Sequence, residues 1–396
     1  MIAVDEARNL VKSHTPAPQS RIIPLHQAVH HVLAADIYAT NAFPPFHQSA
    51  MDGYAFRFED YAKGNIQIDG EVAAGDQAGI LPFGTAKRIF TGAQVPAGAD
   101  TVVMQEHVRV ENGSLIFLQN KLQPGSNVRL KGSQIEAGEV AFEKGSFLNA
   151  AAIGFIASLG LDMVRVYSRP RVHIIVTGSE LIPPGEQLPE GKIYESNSFM
   201  LMAALKAIDY EPDGIHFIRD DAAALPNLLD KLNPVCDVFL LTGGVSIGDY
   251  DFVGKSQHLP GFETIFHKVR QKPGKPFLFA TYKGKLLFGL PGNPASVLSC
   301  FYQYVLPSLR QSSGLGQTDL LKERVPLSGG FTKKAGLTVF LKGKCADGRV
   351  HILPQQESYI LRSYAQANCL IELEEDRELW EAGDEVTIHH LPKANY

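Results

Sequence analysis

Residues Cys236–Asp251 read CDVFLLTGGVSIGDYD. The apolar run Val238–Leu241, stopped by Thr-Gly-Gly, is the pattern of a short strand buried on both faces. Glycines at 243, 244 and 248 let backbone amides come close to an anion where the next helix begins, and Ser246 adds a hydroxyl donor.

Outward from this stretch the same alternation repeats. VHIIVTG (172–178), GIHFIRD (214–220), FLFA (277–280) and LLFGLPG (286–292) read as strands. SNSFMLMAALKAI (196–208), AAALPNLLDKL (222–232) and the segment Pro294–Arg310 read as helices. The order predicts an open, doubly wound α/β domain over residues 170–316. Ligands of such sheets bind beyond the carboxyl ends of the strands, which is where TGSE (177–180), RDD (219–221), TGGVSIGDYD (242–251) and LPGNP (290–294) fall.

The flanks differ in character. Ala3, Ala7, Leu10 and Val11 share one helical face, and Leu25, Ala28, Val29, Val32 and Leu33 repeat the helical spacing, so two amphipathic helices are expected. Residues 43–145 hold short β-prone runs broken by Gly and Pro, such as NIQIDGEV, TVVMQEHVRV and SLIFLQN. NAAAIGFIASLG (149–160) is helical again, so the β unit is expected to be inserted in an elongated helical segment made of 1–42 and 146–169. KERVPLSGG, GLTVFLKGK, RVHILPQ and EVTIHHL predict a β-barrel-like domain over 317–396. The fold class is thus multidomain α/β, with three or four domains in 396 residues.

Composition excludes several classes. A formal charge of -5 gives no overall basic field for nucleic acid. The opening MIAVDEARNLVKSH mixes charged and apolar residues, and no apolar run approaches bilayer length, so neither a signal peptide nor a membrane span is expected. Cys236, Cys300, Cys345 and Cys369 form no C-x-x-C pair, which fits a reducing cytoplasm better than a disulfide framework. Dinucleotide, P-loop, zinc-protease and nucleophile-elbow motifs are all missing from the sequence. His26 and His30 have helical spacing but no evident third ligand, and His389 and His390 are expected to be solvated.

Candidate site residues cluster in six stretches. FPPFHQSAMDGYAF (43–56) displays Asp52 in an expected Asp-Gly turn, and RIFTGAQVPAGADTVVMQE (88–106) places the Thr91 hydroxyl after an apolar pair. TGSELIPPGE (177–186) sets Glu180 just past a strand, followed by Ser196–Ser198 with N-cap chemistry. LTGGVSIGDYD (241–251) brings Gly243, Gly244, Ser246, Asp249 and Asp251. In QKPGKPF (271–277) Pro273 and Pro276 bracket a rigid turn that carries Lys272 and Lys275, whose mutual repulsion an anion would relieve. FGLPGNPASVLS (288–299) carries Pro291, Gly292, Asn293 as a candidate cap, Pro294 at the first turn and Ser296, with free amides suited to an oxyanion. With Asp220 and Asp221, these loops pair cations and carboxylates as metal-assisted chemistry on a phosphorylated ligand requires.

The strings SAMDGYA, TGAQVPAGAD, TGSEL, GGVSIGDYD, KPGKPF and GLPGNPAS, in this order, together with LPQQESYILRSYAQAN (353–368), resemble the molybdopterin molybdenumtransferase (MoeA-like) family, which includes the gephyrin C-terminal domain. The resemblance spans nearly the whole chain. It implies a dimerising segment, an inserted β domain, a molybdopterin-binding α/β domain and a C-terminal β domain. It also implies a cytoplasmic homodimer that inserts molybdate into the dithiolene of adenylylated molybdopterin, with Mg2+-dependent release of AMP. Implied partners are the molybdopterin adenylyltransferase and the molybdoenzymes that accept the cofactor.

Carried over residue by residue, Asp52, Thr91, Glu180, Asp220, Asp251, Lys272 and Lys275 would be catalytic. Gly243, Gly244, Ser246, Asp249, Pro291, Gly292, Asn293, Ser296, Lys342 and Ser363 would bind substrate. Glu180, Asp221 and Asp249 would hold the metal, with the split between metal binding and proton transfer left open. Asp52 and Thr91 would face the α/β loops of the other subunit. Two positions depart from the family pattern: Gln134 stands where relatives commonly have Asp, and Lys342 where they often have Arg. A Lys keeps the charge but loses the planar fork that grips an oxyanion with parallel bonds. The competing readings are a non-catalytic pterin-binding scaffold and a molybdopterin adenylyltransferase. Asp52, Glu180 and both lysines speak against the first, and the inserted and C-terminal β domains against the second.

Overall fold

The structure, a computed structural model, describes residues 1–118, 121–218, 224–244 and 259–392. They form two compact units: Ile22–Val29 with Leu33–Arg165, and Met1–Arg21 with His30–Val32 and Val166–Tyr396. The expected elongated segment of 1–42 and 146–169 is therefore divided between the two.

In the unit centred on Leu33–Arg165, one sheet runs in the order Thr101–Met104, Gly53–Phe56, Thr85–Ile89, Ile66–Val72, Ser114–Phe117, Val108–Glu111. Successive side chains point to opposite faces, so Ala55 and Val102 pack in one core with Ile89, while Phe56 and Val103 pack in another with Ile66 and Leu115. Gly53 begins a strand and is not the second residue of a turn. A Cβ there would lie 1.9 Å from the Val103 carbonyl oxygen, so glycine is required by the close approach of two strands.

The helix expected at 149–160 forms over Ala150–Ser158, and the Asn149 side chain caps it by accepting from the Ala152 amide at 2.9 Å. The helix expected over 25–33 does not form. A 3-10 turn covers Leu25–Gln27, and His30 takes a φ of 62°, which ends right-handed winding. Leu25, Ala28, Val32 and Leu33 are nonetheless buried, so their helical spacing came from burial without a helix.

In the other unit the α/β sheet runs in the order Gly214–Ile218, Val172–Thr177, Val238–Thr242, Lys285–Leu290, Leu278–Tyr282, Phe262–His267. The first four strands are parallel, and Leu278–Tyr282 runs against them, antiparallel to both of its neighbours. Val172–Thr177 and Val238–Thr242 are buried at every position, as strands covered on both faces must be. Leu225, Leu229 and Leu232 of the helix Ala224–Leu232 cover one face against Ile175, Phe239 and Leu241. The helices Val4–His14, Asn197–Lys206, Pro294–Cys300 and Leu306–Ser312 cover the other, through residues such as Val4, Leu201, Val297 and Leu309. Each fully buried Leu or Val contributes about 1.5–3 kcal/mol. Between the last two helices Phe301–Val305 makes a π-helical turn. The edge strand Phe262–His267 was not visible in the sequence because most of its residues are only half-buried or exposed.

The C-terminal sheet runs Gln271–Lys272, Thr338–Ala346, Cys369–Leu373, Glu385–His390, Lys322–Pro326, with Arg349–Ile352 beside Thr338–Ala346. Its first strand is lent by the α/β domain, since Gln271 pairs with Thr338 and Lys272 with Val339. The expectation of solvated histidines fails here. His389 is 2% exposed and bonds through Nε2 to Glu372 at 2.6 Å, Glu372 also receives Arg8 at 2.9 Å, and His390 pairs with Glu323 at 2.7 Å.

Candidate active site

The loops at the carboxyl ends of the α/β strands carry the candidate residues. Where Val238–Thr242 ends, Gly243 has a φ of 86° and Gly244 of 66°, and a Cβ on Gly243 would lie 2.3 Å from the Thr177 carbonyl oxygen. Only glycine fits a turn that brings the ends of two neighbouring strands this close. Glu180 follows the strand that ends at Thr177, is exposed, and carries its carboxylate over Gly178.

Lys272, Lys275, Pro291, Gly292, Asn293 and Ser296 line a single cavity of about 350 Å³, and the C-terminal domain adds Gln356 and Ser358 to its wall. The two lysines are exposed, whereas Ser296 is buried at 3% exposure. Two ammonium groups on a four-residue turn repel each other, and an oxyanion between them removes that cost. Asn197, inside the stretch read for cap chemistry, donates from Nδ2 to the Gly292 carbonyl at 2.9 Å and ties this loop to the helix Asn197–Lys206.

Several expected roles are filled differently. Ser196 sits at the N-cap position without a side-chain cap, and the buried Glu195 carboxylate accepts instead from the Ser198 amide at 2.8 Å and the Ser198 hydroxyl at 2.6 Å. Asn293 likewise occupies a cap position without capping. Its Nδ2 donates to the Ser358 hydroxyl at 2.8 Å, and the Ala295 amide donates to the Ser358 carbonyl at 3.0 Å. One amide expected to face an oxyanion is therefore already bonded to the C-terminal domain.

Lys342 and Ser363, expected to bind substrate, shape the wall of the cavity and do not line it. Lys342 is 3% exposed and donates from Nζ to the carbonyls of Gln355, Glu357 and Ile360 at 2.7, 3.2 and 3.2 Å. An ammonium has three donors, and three carbonyls use them all. Ser363 donates to the Gln355 carbonyl at 2.8 Å. Both residues thus fasten the segment that presents Gln356 and Ser358. Burial pulls the Lys342 pKa down from its ordinary value.

In the other unit Asp52 and Thr91 meet. Asp52 Oδ1 accepts from both the hydroxyl and the amide of Thr91, each at 2.7 Å. These two bonds, with a smaller contribution from Arg88, hold the exposed Asp52 carboxyl below its usual range. Arg88, which sequence reasoning missed, lies over the Tyr54 ring at 5.0 Å on the neighbouring strand.

Asp220, Asp221, Ser246, Asp249 and Asp251 lie outside the described residues. Of the expected metal set only Glu180 is described, and among the described residues no three His, Cys, Asp or Glu gather to hold a metal. Sequence reasoning also missed Gln271, Gln356 and Ser358. The last two lie in the QQES run (355–358), where nothing but the family resemblance marked them.

Against known proteins, residues 2–160 match the family model of the MoeA N-terminal region (domain I and II), 173–311 that of a probable molybdopterin binding domain, and 324–391 that of the MoeA C-terminal region (domain IV). A molybdopterin molybdenumtransferase of Haemophilus influenzae is 32% identical, covering 98% of both chains. One from a Nostoc species is 38% identical, covering 78% of this chain and 73% of its own length. The crystal structure of a molybdopterin biosynthesis MoeA protein from Pyrococcus horikoshii superposes with a TM-score of 0.83 at 30% identity, covering 100% of both chains.

Proposed function

The chain belongs to the molybdopterin molybdenumtransferase family and acts as a transferase in molybdenum cofactor biosynthesis; from that premise we propose that it inserts molybdate into the dithiolene of adenylylated molybdopterin, with Mg2+-dependent release of AMP. The observation that carries this reading is the cavity of about 350 Å³ lined together by Lys272, Lys275 and Ser296, which has room for an oxyanion beside part of a larger ligand. Preorganised cations and hydroxyls cost no reorganisation when the charge arrives, which is what a dianionic substrate needs.

In this reading Lys272 and Lys275 neutralise molybdate, Ser296 donates to it, and the glycine turn at 243–244 cradles phosphate. Asp52 is held ionised by Thr91, so at neutral pH it is a poor proton acceptor and serves as a fixed negative charge. Glu180 has the hard oxygen donors that Mg2+ prefers, and its exposed carboxylate beyond a strand end suits that ion. Bound there, Mg2+ would act as a Lewis acid on the pyrophosphate link. Asp220, Asp221, Ser246, Asp249 and Asp251 complete the proposed acidic loops and phosphate cradle. The protein works as a cytoplasmic homodimer, with Asp52 and Thr91 of one subunit serving substrate held by the other, and it passes its product to molybdoenzymes.

Lys275→Ala tests the central assignment. Molybdate-dependent AMP release should fall at least about tenfold, the scale of losing a charge-assisted bond. Unchanged release would remove the lysines from the reaction.

A further inference from the structure

Beneath the two lysines lies a buried polar group that the reaction as described does not use. Gln271 is 0% exposed, immediately precedes Lys272, and borders the lysine-lined cavity. Its Nε2 donates to the Gly274 carbonyl at 3.2 Å and approaches Cys300 Sγ at 3.4 Å, while its Oε1 accepts from the Tyr304 hydroxyl. Gly274 is the turn residue between the lysines. It has a φ of 88°, and a Cβ there would lie 2.6 Å from Cys300 Sγ and 2.7 Å from Gln271 Nε2. The turn therefore rests directly on the Gln271 amide and the Cys300 thiol.

Tyr304 belongs to the π-helical turn Phe301–Val305, is fully buried, and stacks on Phe277 with ring centroids 4.6 Å apart. Phe277 ends the same QKPGKPF stretch that begins at Gln271. Both ends of the lysine turn are thus held by one tyrosine, at one end through its hydroxyl and at the other through its ring. An apolar side chain at 271 would fill the space with less desolvation cost, so a buried amide whose side-chain bonds run to the turn and its support calls for a reason.

We propose that Gln271 and Tyr304 are positioning residues that fix the spacing and direction of Lys272 and Lys275, and so set the affinity of the cavity for its oxyanion. The inference rests on the functional reading above, because molybdate is taken as that oxyanion. Gln271 and Tyr304 do not touch substrate. They act through the backbone of the turn, and their loss should be felt by molybdate more than by the pterin.

The test uses full-length Tyr304→Phe, which removes only the hydroxyl, and Gln271→Met, which keeps the volume and removes the amide. Steady-state AMP release is measured with molybdate and adenylylated molybdopterin varied separately, and molybdate binding to the protein alone is measured by calorimetry. Losing one such hydrogen bond should raise the molybdate KM and Kd about two- to tenfold, with the pterin KM unchanged. In the Lys275→Ala background the Gln271→Met change should have little further effect on molybdate, since it acts through the lysines. An unchanged molybdate KM in Tyr304→Phe, or equal shifts in both KM values, overturns the proposal even if Gln271→Met fails to fold. A wild-type protein without molybdate-dependent release would instead overturn the functional reading.

Discussion

At the scale of single residues, Asp52 and Thr91 show what short-range chemistry sets. Asp52 is exposed, so its depressed pKa comes from the two Thr91 bonds and not from burial. Thr91→Val removes one of them and should move the Asp52 carboxyl toward its ordinary value in a carbon-13 titration; an unmoved titration would contradict the assignment. Because the folded value is lowered, this contribution to stability is present above the ordinary aspartate range and lost as pH falls through the depressed value. Gly53→Ala should destabilise by at least about 1–3 kcal/mol in urea unfolding, because its Cβ would meet a backbone carbonyl that cannot move alone. Asp52 and Thr91 were legible in the sequence as loop residues. The reason for Gly53 was not, since the residue it must avoid, Val103, lies fifty positions away and becomes a neighbour only in the sheet.

At the scale of elements, the helix Val4–His14 is joined to the C-terminal sheet by the Arg8, Glu372 and His389 network. Burial opposes charge on Glu372, but bonds from His389 and Arg8 outweigh it and hold the carboxyl far below its usual range. Burial also lowers the His389 pKa, so near neutral pH the imidazole is neutral and Arg8 supplies the positive charge. Acidification should therefore destabilise in two stages, first as pH falls below the ordinary histidine value and again below the ordinary glutamate value. Arg8→Met should cost about 3–5 kcal/mol by leaving Glu372 buried without its cation. Adding Glu372→Leu should recover much of that loss in thermal unfolding, and no recovery would show that packing by Arg8, not its charge, matters. The alternation of strands and helices over 170–316 was legible because buried parallel strands are written as apolar runs ended by glycine. The false helix at 25–33 arose because burial at helical spacing does not fix φ, and His30 took the left-handed region. Lys342 was assigned to substrate through the family resemblance, and only the folded chain shows its three protons bonded to carbonyls.

At the scale of the whole molecule, the sequence order of motifs revealed the family, while the division of labour between its parts emerged from the fold. The C-terminal domain borrows Gln271–Lys272 as an edge strand and returns Gln356 and Ser358 to the cavity, exchanges that no linear reading of either domain could anticipate. The proposed homodimer predicts that mixing Asp52→Ala with Glu180→Ala subunits restores part of the activity each variant lacks, because mixed dimers would hold one intact site; no restoration would place both residues in a site made by one chain. The most direct measurement is AMP release by the purified protein from adenylylated molybdopterin and Mg2+, with and without molybdate, followed by transfer of the product to a molybdenum-free apoenzyme. Release should depend on molybdate, and the product should activate the apoenzyme. Tight pterin binding with no release, or release indifferent to molybdate, would contradict it.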